Sequence, residues 1–119
     1  MPFERGDIVE YAFTIPDTNK EVRHPALIIS NQDVYNADAC YICVMLTTSE
    51  RRDMFSFEIE DYMLSKPNNV SFSQARAHLV TYVLEKHITL RQPKNRMKEN
   101  SVNKLVEFIN TVSLSALDE

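Results

Sequence analysis

The sequence predicts a small, mainly β protein, a strongly bent sheet or barrel with one amphipathic helix at its C-terminal end. Three observations carry this. Clusters of Pro, Asn and Asp recur at short intervals, at Ile15 to Asn19, Asn31 to Asp33, Asn36 to Asp38, Lys66 to Asn69 and Gln92 to Asn95, where such residues impose or tolerate turns. Between them lie short runs that are either alternating or continuously apolar, as strands are. Only beyond residue 100 does the apolar period lengthen to three and four. At 13.8 kDa, with 44% hydrophobic and 25% charged residues, residues 1–119 are expected to form one domain with its own core.

The elements follow in order. Ile8 to Phe13 alternates and places Val9, Tyr11 and Phe13 on one face of a first strand. A polar loop is expected through Glu21. Pro25 to Ser30 and Ala39 to Thr47 are continuous apolar runs and read as buried strands. Ser49 to Asp53 is a charged connection. Met54 to Ile59 alternates again, with Phe55, Phe57 and Ile59 on one side, and one or two further strands are expected between Val70 and Val83. Arg91, Lys94, Arg96 and Lys98 occupy a solvated connector. Val102, Leu105, Val106, Ile109 and Val112 form the apolar stripe of a helix that Asn100 or Ser101 can cap.

Composition excludes several chemistries. There is one glycine in 119 residues, against a usual share of about 7%. No dinucleotide fingerprint, Walker loop or Gly-x-Ser-x-Gly elbow can be built. The sole glycine, Gly6, stands before the first strand, where a positive φ or a close backbone approach would require it. Cys40 and Cys43 are three apart in a strand, so they point to opposite faces and read as core residues rather than as a metal or redox pair. Asp7, Glu10, Glu58, Glu60 and Asp61 read as solvated charges. No apolar run suits a membrane span or a signal peptide, so a cytoplasmic protein is expected. A net charge of −4 leaves any nucleic-acid contact to a local patch. Arg23, Arg51, Arg52 and Arg76 could form one.

The remaining chemistry-bearing residues fall at strand ends: Arg23 and His24 before Pro25, Thr47, Thr48 and Ser49 after the third strand, and Arg76 and His78 in the later strand region. Guanidinium, hydroxyl and imidazole groups together can hold a phosphate and move a proton without a metal or other cofactor.

In chain order, Arg5-Gly6-Asp7-Ile8-Val9, Arg23-His24-Pro25-Ala26-Leu27-Ile28-Ile29-Ser30-Asn31, Cys43 to Ser49, and Ser73-Gln74-Ala75-Arg76 resemble the MazF/PemK/Kid toxins of bacterial type II toxin–antitoxin systems. The resemblance implies an SH3-like barrel and a homodimer restrained by a cognate antitoxin. It also implies a metal-independent, sequence-specific endoribonuclease acting on single-stranded mRNA through attack of the ribose 2′-hydroxyl. By that similarity Arg23 or His24, with Thr47, would carry the reaction, and Thr48, Ser49, Arg51, Arg76 and His78 would bind RNA. The family usually has Arg directly before the proline. Here His24 holds that position, so which of the two moves the proton stays open. A gyrase poison of the CcdB kind or a regulator that only binds an antitoxin is the rival expectation.

Overall fold

The computed structural model describes residues 3–68 and 72–116. Six strands, β1 (Asp7–Ile15), β2 (Lys20–Ile28), β3 (Cys40–Thr47), β4 (Ser56–Glu58), β5 (Gln74–Leu84) and β6 (Asn95–Arg96), form one antiparallel sheet in the order β4-β5-β3-β2-β1-β6. Helix α1 (Gln32–Asp38) lies between β2 and β3, and α2 (Glu99–Ile109) follows β6. The sheet is not closed between β4 and β6. An isolated bridge between Leu64 and Met97 ties the segment after β4 to the residue after β6.

Alternation along the strands gives the sheet two apolar faces. Ile8, Leu27, Val44, Leu46, Ala75 and Ala77 pack on one side beneath Val102, Leu105 and Ile109 of α2. The expected stripe is therefore what α2 buries, although the helix begins at Glu99 and Lys98 is its cap, without a side-chain bond. Val9, Phe13, Ala26, Ile28, Cys43, Met45 and Val83 face the other way, joined by Phe3 and Tyr41. The Tyr35 and Tyr41 hydroxyls both donate to the Glu85 carboxylate, at 2.7 and 3.1 Å, which seats α1 at one end of this face.

Several expectations change. The hairpin of β1 and β2 extends through Lys20 and Glu21, expected to be loop, and on through Val22 and Arg23; these side chains are exposed, so no apolar alternation marked them. The two Asn/Asp clusters at 31–38 are not separate turns but α1, whose first turn is capped by the Asn31 side chain accepting from the Asp33 and Val34 amides. β4 is shorter than Met54 to Ile59, and one strand, β5, starts at Gln74; Val70 and Ser71 of the expected region and Asn69 of the fourth turn cluster lie outside the described residues. Asp7 is buried and bonded to Arg96 at 2.5 Å, and Lys94 reaches Glu10 at 2.9 Å. The basic connector thus pins β6 against β1 instead of lying free in solvent.

Gly6 has φ 97°, and a Cβ there would stand 2.8 Å from the Met97 carbonyl. Both reasons for a glycine hold at once. Cys40 and Cys43 are buried free thiols, and burial pushes Cys43 up to about 12, so it stays protonated at neutral pH. No helix among the described residues is long and apolar enough to cross a membrane.

Candidate functional site

The site forms where β2 and β3 part. Ile29 donates to the Ile42 carbonyl at 2.9 Å, so the odd-numbered residues of this strand turn their amides toward β3. The formal pairs run Ile28 with Cys43, Leu27 with Val44 and Ala26 with Met45. The next amide due to face β3 is that of Pro25, opposite Leu46, and proline has no N–H to give. The ladder stops there, its last formal pair being Ala26 with Met45. Continued one step further, the register sets His24 opposite Thr47 on the same face of the sheet.

His24 is half-buried, and that desolvation holds it below the ordinary histidine value, against a smaller opposing pull from the Leu46 backbone. The ring is neutral near pH 7. A neutral imidazole keeps one ring nitrogen able to accept a proton. Thr47 is 7% exposed and its Oγ1 accepts from the Ser49 amide at 3.1 Å. Arg23, one residue from His24, projects to the opposite side of β2, is exposed, and makes no ion pair among the described residues.

On the other side of β3 the pairing with β5 slips. Val44 opposes Val80 but Leu46 opposes Ala75, so Arg76, Ala77, His78 and Leu79 all stand against Met45 alone. Such a bulge aims side chains that a regular strand would alternate. Arg76 is turned inward and buried. Its guanidinium grips both Asp53 oxygens, at 3.0 and 2.8 Å, and also bonds Ser56 and Gln74. Fully buried Gln74 in turn donates to the Ser49 and Arg51 carbonyls at 2.9 and 2.6 Å. Together they hold the 48–55 loop in one shape. The fork holds the Asp53 carboxyl well below the usual carboxylate range. His78 is exposed, its ring 4.4 Å from that of Phe55, and desolvation with the Arg76 and Arg51 charges lowers it.

His24 and Thr47 thus lie just beyond the end of the β2–β3 ladder, and Arg76 and His78 lie in the β5 bulge. The structure does not gather the four arginines into a free cationic patch. Arg52 pairs with Glu58, Arg51 with Asp53 at 3.5 Å, and Arg76 with Asp53. Thr48 is exposed and lines a separate polar hollow with Arg52 and Ser73, while exposed Ser49 accepts from the Arg51 amide. The holding roles of Asp53 and Gln74 were not foreseen from the sequence. A buried glutamine leaves no pattern, and the bulge is a mismatch between two strands that neither strand shows alone.

Against known proteins, the family model of PemK-like, MazF-like toxins of type II toxin–antitoxin systems matches residues 4–113. No curated protein matches significantly by sequence. Solved structures match in fold. MazF from Deinococcus radiodurans superposes with a TM-score of 0.70 at 11% identity, over 94% of this chain and 96% of that one. An endoribonuclease in complex with its cognate antitoxin from a mycobacterial species gives 0.63 at 16% identity, over 92% and 93%. A MazE–MazF complex from Deinococcus radiodurans gives 0.66 at 12%, over 92% and 94%.

Proposed function

The chain belongs to the PemK-like, MazF-like toxins of type II toxin–antitoxin systems, and from that premise we propose that it is a sequence-specific endoribonuclease that cuts single-stranded RNA without a metal. The 2′-hydroxyl attacks the adjacent phosphate, the bond to the 5′-oxygen of the next nucleotide breaks, and the products are a 2′,3′-cyclic phosphate and a free 5′-hydroxyl. One proton leaves the 2′-oxygen and one reaches the departing 5′-oxygen.

The observation that supports this reading is the end of the β2–β3 ladder at Ala26 and Met45, just beyond which lie the half-buried His24, held below its ordinary value by desolvation, and the buried Thr47. We assign proton abstraction to the His24 ring and charge stabilisation at the phosphate to the Thr47 hydroxyl. Arg23 contacts the RNA backbone from the other side of β2, and Thr48, Ser49 and Arg51 line the path of the strand. In the same reading the toxin pairs with a second copy and is silenced by an antitoxin, as the MazE–MazF complex suggests by analogy.

The test is cleavage of a long single-stranded RNA by the purified protein in chelator-treated buffer, with 5′ ends mapped. Recurrent short-motif cuts are expected. His24→Gln should reduce kcat about 10²- to 10⁴-fold, the usual share of a general base, and more than Arg23→Ala. An intact wild type that cuts no RNA, or one that causes double-strand DNA breaks in cells without RNA cuts, sinks the reading.

A further inference from the structure

Thr47 ends β3, and the bonds that hold its hydroxyl lead back to one buried side chain on the neighbouring strand. Gln74 faces Thr47 across the β3–β5 pair, so the two side chains stand on the same face of the sheet. Gln74 is fully buried and both its polar atoms are engaged: the nitrogen donates to the Ser49 and Arg51 carbonyls at 2.9 and 2.6 Å, and the oxygen accepts from Arg76 at 3.1 Å. Ser49, tied by its carbonyl, turns its own amide onto the Thr47 Oγ1 at 3.1 Å. We propose that Gln74 is a positioning residue for RNA cleavage, setting the rotation of the Thr47 hydroxyl through Ser49 and with it the rate of the chemical step. The proposal rests on the ribonuclease reading and adds to it a side chain too deeply buried to touch RNA itself.

The Gln74 amide can sit only one way round. Turned over, its oxygen would face the two loop carbonyls and its NH₂ group would face the Arg76 guanidinium, acceptor against acceptor and donor against donor. Arg76 is itself fixed by both Asp53 oxygens and by Ser56. The loop is thus fastened at Ser49, Arg51 and Asp53, and Ser49 is the fastening nearest the reacting group. Another donor, Ser73 Oγ, lies 3.3 Å from the Ser49 carbonyl and 3.4 Å from that of Thr47, and its single proton cannot serve both. Gln74 makes the shorter bond. A turn closed only by a threonine oxygen and an amide two residues on is weak, so the tie on the Ser49 carbonyl is what keeps the amide in place. That amide occupies a lone pair of Thr47 Oγ1, which leaves the hydroxyl proton to be offered to a phosphate oxygen and makes it a better donor. Without the amide the hydroxyl turns freely, and a donor that must find its direction anew stabilises the developing charge less.

The test uses the full chain and a single-stranded RNA containing a mapped cut. Gln74→Glu keeps the side chain's shape but, ionised beside Arg76, has no proton for either carbonyl; Gln74→Leu, apolar and donorless, stands in should the buried carboxylate not fold. In either, kcat per folded molecule is expected to fall ~10- to 10²-fold, the scale of a small misplacement, while KM moves less than about threefold. A raised KM with kcat kept overturns the proposal. In a Thr47→Val background the same Gln74 change should lower kcat less than about twofold further, because residues that act as one unit are not additive. A full further loss in that background marks Gln74 as merely structural. Hydrogen exchange of the Ser49 amide reports the tie directly and should quicken about tenfold or more in Gln74→Glu; an unchanged rate overturns the proposal whether or not RNA is cut. A wild type that cuts nothing, or a fully active Thr47→Val, sinks the ribonuclease reading, and the Ser49 exchange rate then judges the Gln74 tie on its own.

Discussion

The two faces of the sheet are made from the same strands yet treated in opposite ways. On one, Leu27, Val44, Leu46 and Ala75 are sealed by α2, whose last buried contact, Ile109, is followed by a turn in which Ser113 bonds the Ala77 carbonyl at 2.9 Å. On the other, Phe3 and α1 cover only the end bearing Tyr41 and Cys43, and the end bearing Met45 opens into a cleft beside His24. Adjacent residues on one strand therefore have different duties. Leu46 lends its side chain to the sealed core, while Met45 beside it faces the other way. The lesson is that stability and chemistry are separated here by a single peptide's rotation along a strand, so mutations one residue apart should separate them too.

The sealed face should give the largest stability effect. Leu105→Ala removes a fully buried side chain from the centre of α2 and is expected to cost about 2–5 kcal/mol, read as a lower denaturation midpoint with unchanged activity per folded molecule. A loss of activity without a loss of stability would break the comparison. Gly6→Ala comes next. It places a Cβ against the Met97 carbonyl at a positive φ and should cost ~1–2 kcal/mol from the backbone conformation alone, more with the clash, again without altering the pH profile of the reaction.

The open face should respond to pH. His24 is held below its unfolded value of about 6.5, so the folded protein binds its proton later than the unfolded chain does. Stability from this group is complete above about pH 6.5 and is lost as pH falls toward the lowered folded value. The rate should rise with pH to a plateau, with a midpoint below 6.5 that disappears in His24→Gln. A midpoint above 7 would contradict a ring kept neutral by desolvation. Asp53 acts in the same direction lower down. Its folded value lies below the unfolded ~3.9, so its contribution is present above about pH 4 and fades in stronger acid. Asp53→Asn should flatten that acid limb of unfolding and loosen the 48–55 loop, seen as faster amide exchange at Phe55. Smallest of all is Val22→Thr, at an exposed site on the hairpin, expected within ±0.5 kcal/mol and neutral for cleavage.

How far the sequence could be read divides along the same line. Elements that bury one face were legible: the alternation of Val9, Tyr11 and Phe13, the apolar run of β3 and the stripe of α2 all left a period to detect. Elements that bury nothing were not. Helix α1 has no buried residue, and the outer half of β2 is exposed, so each looked like loop. His24 and Thr47 were picked out as strand-end residues and given roles by a resemblance, while Pro25, next to His24, held a physical reason for the ladder to end beside them. Arg76 was visible as a cation but not as the hub of Asp53, Ser56 and Gln74, since those partners come from separated segments.

The bond between Asp7 and Arg96 joins residues 89 apart in the chain, and Arg5 reaches still further to Asn103 at 2.9 Å. The β1–β2 hairpin has no such reach to make, for its partners are neighbours in sequence. Contacts this distant must overcome the largest loop-closure entropy in the molecule. On the ribosome, the hairpin should therefore gain protection early, while the edge of the sheet waits for β6 and α2 to emerge. Pulsed hydrogen exchange on stalled chains should show the amides of Tyr11 to Phe13 protected before that of Met97, which is bonded to the Gly6 carbonyl at 2.8 Å. A toxin built this way completes its framework only when almost the whole chain has been made.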